Sequence, residues 1–138
     1  MIADPAVTQA ASELARWALG RRRRVRVVGA SMAPTLAEGE FVLVEAAAPF
    51  AVGDLVVARH PHDPTMDVVK RVAAVRPDGT IELASDNPAR GTDSSTWGPV
   101  APGAVTGRVT LVLDRPLGSL APPGARSGRP SPLRWLRR

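Results

Sequence analysis

Ser31 and Lys70 stand thirty-nine positions apart (70 − 31), in the stretches VVGASMAPTL and VVKRVAAV. Gly29 permits an unusual backbone just before Ser31, and Pro34 stiffens the chain just after it, so the hydroxyl is held in a tight turn leaving a strand. A nucleophile needs that presentation, although many structural turns share it. A serine hydroxyl also attacks poorly unless a base removes its proton. The two histidines, His60 and His62, lie in RHPHDP, which reads as a proline-broken polar loop with no periodic partner. No third and fourth ligands accompany the His-x-His spacing, so no metal is expected there.

Lys70 is the other candidate base. It is the only lysine, against seventeen arginines (18 basic residues − 1). At a reference pKa of about 10.4 an amine is neutral in roughly one molecule in 2,500 at pH 7, but desolvation lowers that value by up to several units. In an extended strand Val68, Lys70 and Val72 share one face, which sets the amine between apolar neighbours. Arginine cannot do this work, because a guanidinium stays protonated. Residue usage alone leaves open a second reading, a surface lysine that survived in an arginine-biased chain.

The elements that must position these residues are mostly β. DPAVTQAASELARWALG predicts one helix, with Asp4 as cap, Pro5 in the first turn and Gly20 past the end. Val7, Ala11, Leu14 and Ala18 recur at helical spacing, which predicts a helix packed on the domain's own sheet. An interfacial anchor, with Trp17 beside Arg21–Arg24, is the other reading of that helix. RVRVV, EFVLVEA, DLVVAR, DVVKRVAAV, TIELA and AVTGRVTLVLD predict short strands, with a hairpin-type turn at RPDGT. Strands of this length and number predict a compact, mostly antiparallel β-fold.

Composition narrows the partners. At 138 residues and 44% hydrophobic, the chain reads as one domain with a core of Val, Leu, Ala and Ile. Without cysteine it has no disulfide framework and no thiol nucleophile. The net charge of +5 divides into +4 over residues 1–26, −5 over 27–114 and +6 over 115–138. An acidic body with basic flanks suits an anionic membrane, a nucleic acid or an acidic partner. No stretch approaches the roughly 18 consecutive apolar residues of a membrane span, and the first residues lack a secretory pattern. A cytoplasmic location is expected, with peripheral membrane attachment as the alternative. The expected organisation is an amphipathic helix and arginine run over 1–23, a catalytic domain over 24–114, and a disordered Pro/Arg-rich tail over 115–138.

Four stretches in order, GASMAPTL, GDLVVAR, VVKRVAAV and SDNPARGTDSSTWGPV, resemble successive boxes of the type I signal peptidase family, covering residues 27–113. The resemblance implies a signal-peptidase-like β-fold and a serine–lysine protease that needs no cofactor. Ser31 would be the nucleophile and Lys70 the general base. Gly29, Met32, Asp86, Asn87, Asp93 and Ser94 would furnish the oxyanion hole and the surrounding scaffold, with Asp93 as the electrostatic candidate. Four departures stand out. Gly29 occupies the place of a serine that assists the oxyanion hole, which leaves the Ser31 backbone N–H as the nameable donor. Gly91 replaces a serine that often orients the lysine, and Pro88 and Ser95 replace arginines.

Only fourteen residues (71–84) separate Lys70 from the last box, leaving no room for the insertion domain of larger family members. With no anchor expected before Ser31, the chain resembles the nickel-type superoxide dismutase maturation protease subgroup. The expected partner is then a nickel superoxide dismutase precursor whose leader is removed, with weak anionic-membrane contact through the basic flanks. A peripheral signal peptidase acting on exported preproteins is the alternative. A self-cleaving repressor also uses Ser and Lys, but the thirty residues before Ser31 are too few for its DNA-binding domain. A nucleic-acid module, with Arg21–Arg24 on phosphates, lacks an aromatic platform or a recognised motif, so no nucleic-acid partner is expected.

Overall fold

The structure, a computed structural model, describes residues 4–115. Helix α1 spans Pro5–Ala18 and starts where the Asp4 carboxylate accepts from the Ala6 N–H at 2.9 Å. It ends at Leu19 and Gly20, the latter at φ 76°, a left-handed conformation open to glycine. The helix packs on the sheet, as expected, but through a rotated stripe. Ala10 is buried and Leu14 packs against the core, whereas Val7 and Ala11 face outward. The buried neighbour is Glu13, 5% exposed, which accepts from Arg22 Nε at 2.6 Å and from Thr110 Oγ1 at 2.8 Å. A carboxylate met by a guanidinium can enter a protein interior that an unpaired one cannot. Arg22, one of the arginine run, thus turns inward and ties the helix to the sheet.

Six strands follow: β1 (Arg23–Arg26), β2 (Phe41–Ala46), β3 (Leu55–His60), β4 (Asp63–Val75), β5 (Ile81–Ala84) and β6 (Val105–Val112). They form one antiparallel sheet in the order β1-β2-β6-β3-β4-β5. Register shifts at Leu43/Val44, Val57/Ala58 and Val72/Ala74 bend the sheet. Apolar residues are buried on both faces. Leu55 and Val57 join a cluster with Val27, Met32, Leu36 and Leu111, while Val56 and Ala58 join Val72, Ile81, Leu83 and Val100. A strand buried on both sides reads as a continuous apolar run, which is why LVVA in β3 does not alternate.

The stretch RHPHDP is not the polar loop expected of it. His60 ends β3, Asp63 opens β4 and the two are register partners, so Pro61 and His62 make a tight hairpin connection. His60 Nδ1 accepts from the His62 N–H at 3.1 Å, and its ring lies 5.3 Å from that of Trp97. The RPDGT turn joins β4 to β5 as expected, with the Gly79 N–H bonded to the Arg76 carbonyl at 2.9 Å. Arg115, assigned to the tail, is held by Glu40 at 2.8 Å and donates to the Thr35 carbonyl at 2.6 Å. The rest of the expected tail, 116–138, lies outside the described residues.

Candidate active site

The loop after β1 is tied at its base, where the Val27 N–H meets the Glu40 carbonyl and the Gly39 N–H meets the Val27 carbonyl, both at 2.8 Å. Gly29 adopts φ 83°, so the chain reverses there at little steric cost. Met32 and Leu36 are buried in the core and pin the loop from below. Ser31 rides on top of this plug.

A second loop, following β5, clamps the first. The Asn87 N–H donates to the Ser31 carbonyl at 2.7 Å, and Asn87 Nδ2 donates to the Ala30 carbonyl at 3.3 Å. Thr35 Oγ1 donates to Asp86 Oδ2 at 2.5 Å, and the Asp86 N–H points at the Met32 sulfur at 3.4 Å. Asp86 is itself held in two-point fashion by Arg71, Nε at 2.9 Å and Nη2 at 2.7 Å. Arg71 adds a bond to the Gly53 carbonyl at 2.7 Å. Asp86 and Asn87 therefore touch the serine loop and fix its place. Gly91 comes closer still: a Cβ there would lie 2.4 Å from Ser31 Cβ, a distance no side chain tolerates.

Lys70 arrives from β4, opposite Val56, and is 4% exposed. Val72, two residues on, is buried, and Val68 packs against the same cluster, so the expected apolar face forms. Lys70 Nζ lies 3.0 Å from Ser31 Oγ and 2.9 Å from Ser85 Oγ. Burial pushes the lysine pKa below its ordinary value, and the Asp93 charge opposes this only in part. A neutral amine can donate one N–H to Ser85 and turn its lone pair toward the Ser31 proton.

Asp93 is 2% exposed, and its Oδ2 accepts from the Ser85 N–H at 2.8 Å. Its Oδ1 caps the short helix α2 (Ser94–Trp97), accepting from the Ser95 N–H at 2.9 Å and Ser95 Oγ at 2.6 Å. Ser94 is further from the chemistry: its Oγ accepts from the Leu83 N–H at 2.9 Å and stitches α2 to β5. Gly29 shapes the loop, with open space around a notional Cβ. Among the described residues, no acceptor is paired with the Ser31 N–H.

Ser85 and Arg71 are absent from the residues singled out in the sequence. Ser85 opens the quoted box SDNPARG, and a buried serine there looks like any turn serine until its neighbours are known. Arg71 adjoins the lone lysine, but its partner Asp86 lies fifteen positions away (86 − 71), beyond any local pattern.

A groove of about 320 Å³ leads to the pair. Val25, Val27 and Val28 line one side of it, and Met66, Val68 and Val69 the other. β1 is the edge of the sheet, and β4 meets β5 only from Arg71 onward, so both walls have strand edges with no partner among the described residues.

The family model described as signal peptidase, peptidase S26, matches residues 14–84, a stretch holding both Ser31 and Lys70. The chain is 35% identical over 104 residues to mitochondrial inner membrane protease subunit 1 of Schizosaccharomyces pombe, covering 59% of this chain and 66% of that protein. It is 47% identical over 62 residues to signal peptidase I of Streptococcus pneumoniae, covering 45% of this chain and 29% of that protein. The mouse mitochondrial subunit 1 (Mus musculus) is 29% identical over 104 residues, covering 59% of this chain and 63% of that protein. The chain thus spans less than two thirds of the length of these relatives. With just over half of its residues matched by the family model, the chain belongs to the signal peptidase family, peptidase S26.

Proposed function

We propose that this chain is a serine endopeptidase with a Ser31/Lys70 dyad that removes an N-terminal leader from a precursor protein. The observation that carries the reading is a buried amine of lowered pKa 3.0 Å from a loop-held hydroxyl. Lys70 Nζ takes the Ser31 proton as Oγ attacks the scissile carbonyl, and the resulting ammonium returns a proton to the leaving amine. Water, activated by the same amine, then hydrolyses the ester to Ser31. The Ser31 N–H is the donor assigned to the developing oxyanion. Gly29 and Met32 shape and anchor that loop, Asp86 and Asn87 hold it from across, and Asp93 and Ser94 fix the turn that carries Ser85.

The substrate lies extended between β1 and β4, where unpaired strand edges offer main-chain hydrogen bonds and the apolar walls take side chains. The finer assignment is a cytoplasmic protease acting on a nickel superoxide dismutase precursor, supported by the sequence resemblance to that subgroup and by the direct β4–β5 hairpin. Mass spectrometry of enzyme mixed with that precursor tests it. One cut near the precursor N-terminus is expected from the wild type and none from Ser31→Ala, Lys70→Ala or Lys70→Arg. Near-normal cleavage by Lys70→Arg overturns the base assignment. Cleavage of other preproteins but not this one overturns the substrate.

A specific observation favours peripheral membrane attachment as a second reading. Trp17 and Leu19, at 38% and 72% exposure, end α1 beside the exposed Arg21, Arg23 and Arg24. Among the described residues no helix is long and apolar enough to cross a membrane. Salt-sensitive flotation with anionic liposomes supports attachment, and its absence rules attachment out.

A further inference from the structure

The groove carries charge at the end away from the dyad. Asp67 on β4 is the one carboxylate among its lining residues, three positions from Lys70, or about 10 Å along an extended chain. Arg23 on β1 reaches across to it at 4.0 Å, with both side chains about half exposed. Arg59 on β3 is the register partner of Asp67, so the two side chains stand on the same face of the sheet. Arg26 also lines the groove, but three residues further along β1 and with its guanidinium beside Gly39. Arg59 is exposed and has no salt-bridge partner among the described residues. Two guanidinium groups, Arg23 and Arg59, therefore stand beside a single carboxylate, on the path proposed above for the substrate.

One carboxylate neutralises one of these charges, and the excess is positive. We propose that this end of the groove is a specificity subsite for an acidic side chain, Asp or Glu, about three residues from the scissile bond. The inference rests on the protease reading above. The substrate carboxylate supplies the second anion that Arg23 and Arg59 lack, while a basic side chain at that position meets a surplus of like charge. Asp67 spaces the arginines and competes with the substrate for them. The residues nearest the cut meet chiefly the valines and methionines of the walls, so charge is read most strongly at this position and size at the others.

The experiment uses the full chain and a library of synthetic peptides. Each peptide carries Asp, Ala or Arg at one of the eight positions around an Ala–Ala bond, and cuts are located by mass spectrometry. The expected result is a kcat/KM about tenfold higher for Asp than for Arg at a single position two to four residues from the cut, falling in high salt. Arg59→Ala and Arg23→Ala each bring that ratio down to about threefold. Asp67→Asn raises it, because the competing anion is gone. Ratios within one variant are insensitive to how much of it is folded. Ser31-dependent cutting with Asp and Arg within twofold everywhere, or with Arg preferred, overturns the subsite and leaves the protease reading standing. A fall in the ratio for Asp67→Asn also overturns it, since Asp67 would then be reading a cation. No Ser31-dependent cut in any peptide overturns the protease reading and this inference with it.

Discussion

Lys70 Nζ lies between two hydroxyls in reach, Ser85 Oγ at 2.9 Å and Ser31 Oγ at 3.0 Å. Ser85 is anchored in turn through its N–H to the buried Asp93. Gly91, where the family pattern suggested a lysine-orienting serine, instead presses its backbone against Ser31. In the proposed dyad the orienting hydroxyl is that of Ser85, just past β5, and Gly91 serves close approach.

Ser85→Ala is expected to lower kcat about ten- to hundredfold with KM nearly unchanged, because Ser85 aims the amine and does not line the groove. Steady-state kinetics on a cleaved peptide check this, and Ser85→Thr, which keeps the hydroxyl, recovers part of the loss. An equal loss in both variants would point to packing in place of hydrogen bonding.

Gly91→Ala places a methyl carbon 2.4 Å from Ser31 Cβ, so one loop must move. Stability is expected to fall by about 1–3 kcal/mol. Activity should fall much further, by at least about a hundredfold, since displacement of about 1 Å at a nucleophile is costly. A urea melt and a turnover assay on the same preparation separate the two effects.

The lowered pKa of Lys70 sets the pH dependence. In the proposed dyad Lys70 acts as base only when neutral, so kcat/KM rises with pH and levels off above that lowered value. Asp93→Asn removes the charge that opposes the shift, and the rising limb moves to lower pH even if the maximum rate drops. For stability the sign follows from proton counts. The unfolded lysine, near its ordinary 10.5, binds more protons than the buried one, so stability rises with pH between the two values. Lys70→Met lacks this term. It should melt above the wild type at neutral pH, by a margin that narrows toward pH 10.5, and thermal melts across that range measure it.

Arg22→Ala leaves the buried Glu13 carboxylate with Arg16 and Thr110 alone. Burial pushes the Glu13 pKa up, but the Arg22 and Thr110 hydrogen bonds and the charges of Arg22 and Arg16 together hold it below the ordinary range. A depressed folded value contributes stability above the unfolded pKa that is lost as pH falls through the folded one. The substitution is expected to cost about 3 kcal/mol near neutrality and to move the acid unfolding midpoint to higher pH. Urea melts and an acid titration followed by circular dichroism test both.

Much was legible in the chain itself. The helix start at Asp4–Pro5, the approximate places of the strands and the RPDGT turn follow from local backbone preference and burial pattern, which act over a few residues. The chemical argument for Lys70 was local too, since an amine can lose its charge by burial and a guanidinium cannot. Contacts between distant segments were decided only by the tertiary structure. The inward turn of Glu13 depends on Arg22 and Thr110, the second of them on the last strand. The work of Ser85 depends on Lys70 standing beside it once β4 and β5 pair. The 3.0 Å approach of Lys70 to Ser31, the clamp of Asn87 and Asp86 on the serine loop, and the meeting of Arg23 with Asp67 have the same origin. In each case, partners far apart in the chain meet only because a bent sheet and its loops close on one another, and no short-range pattern encodes that closure.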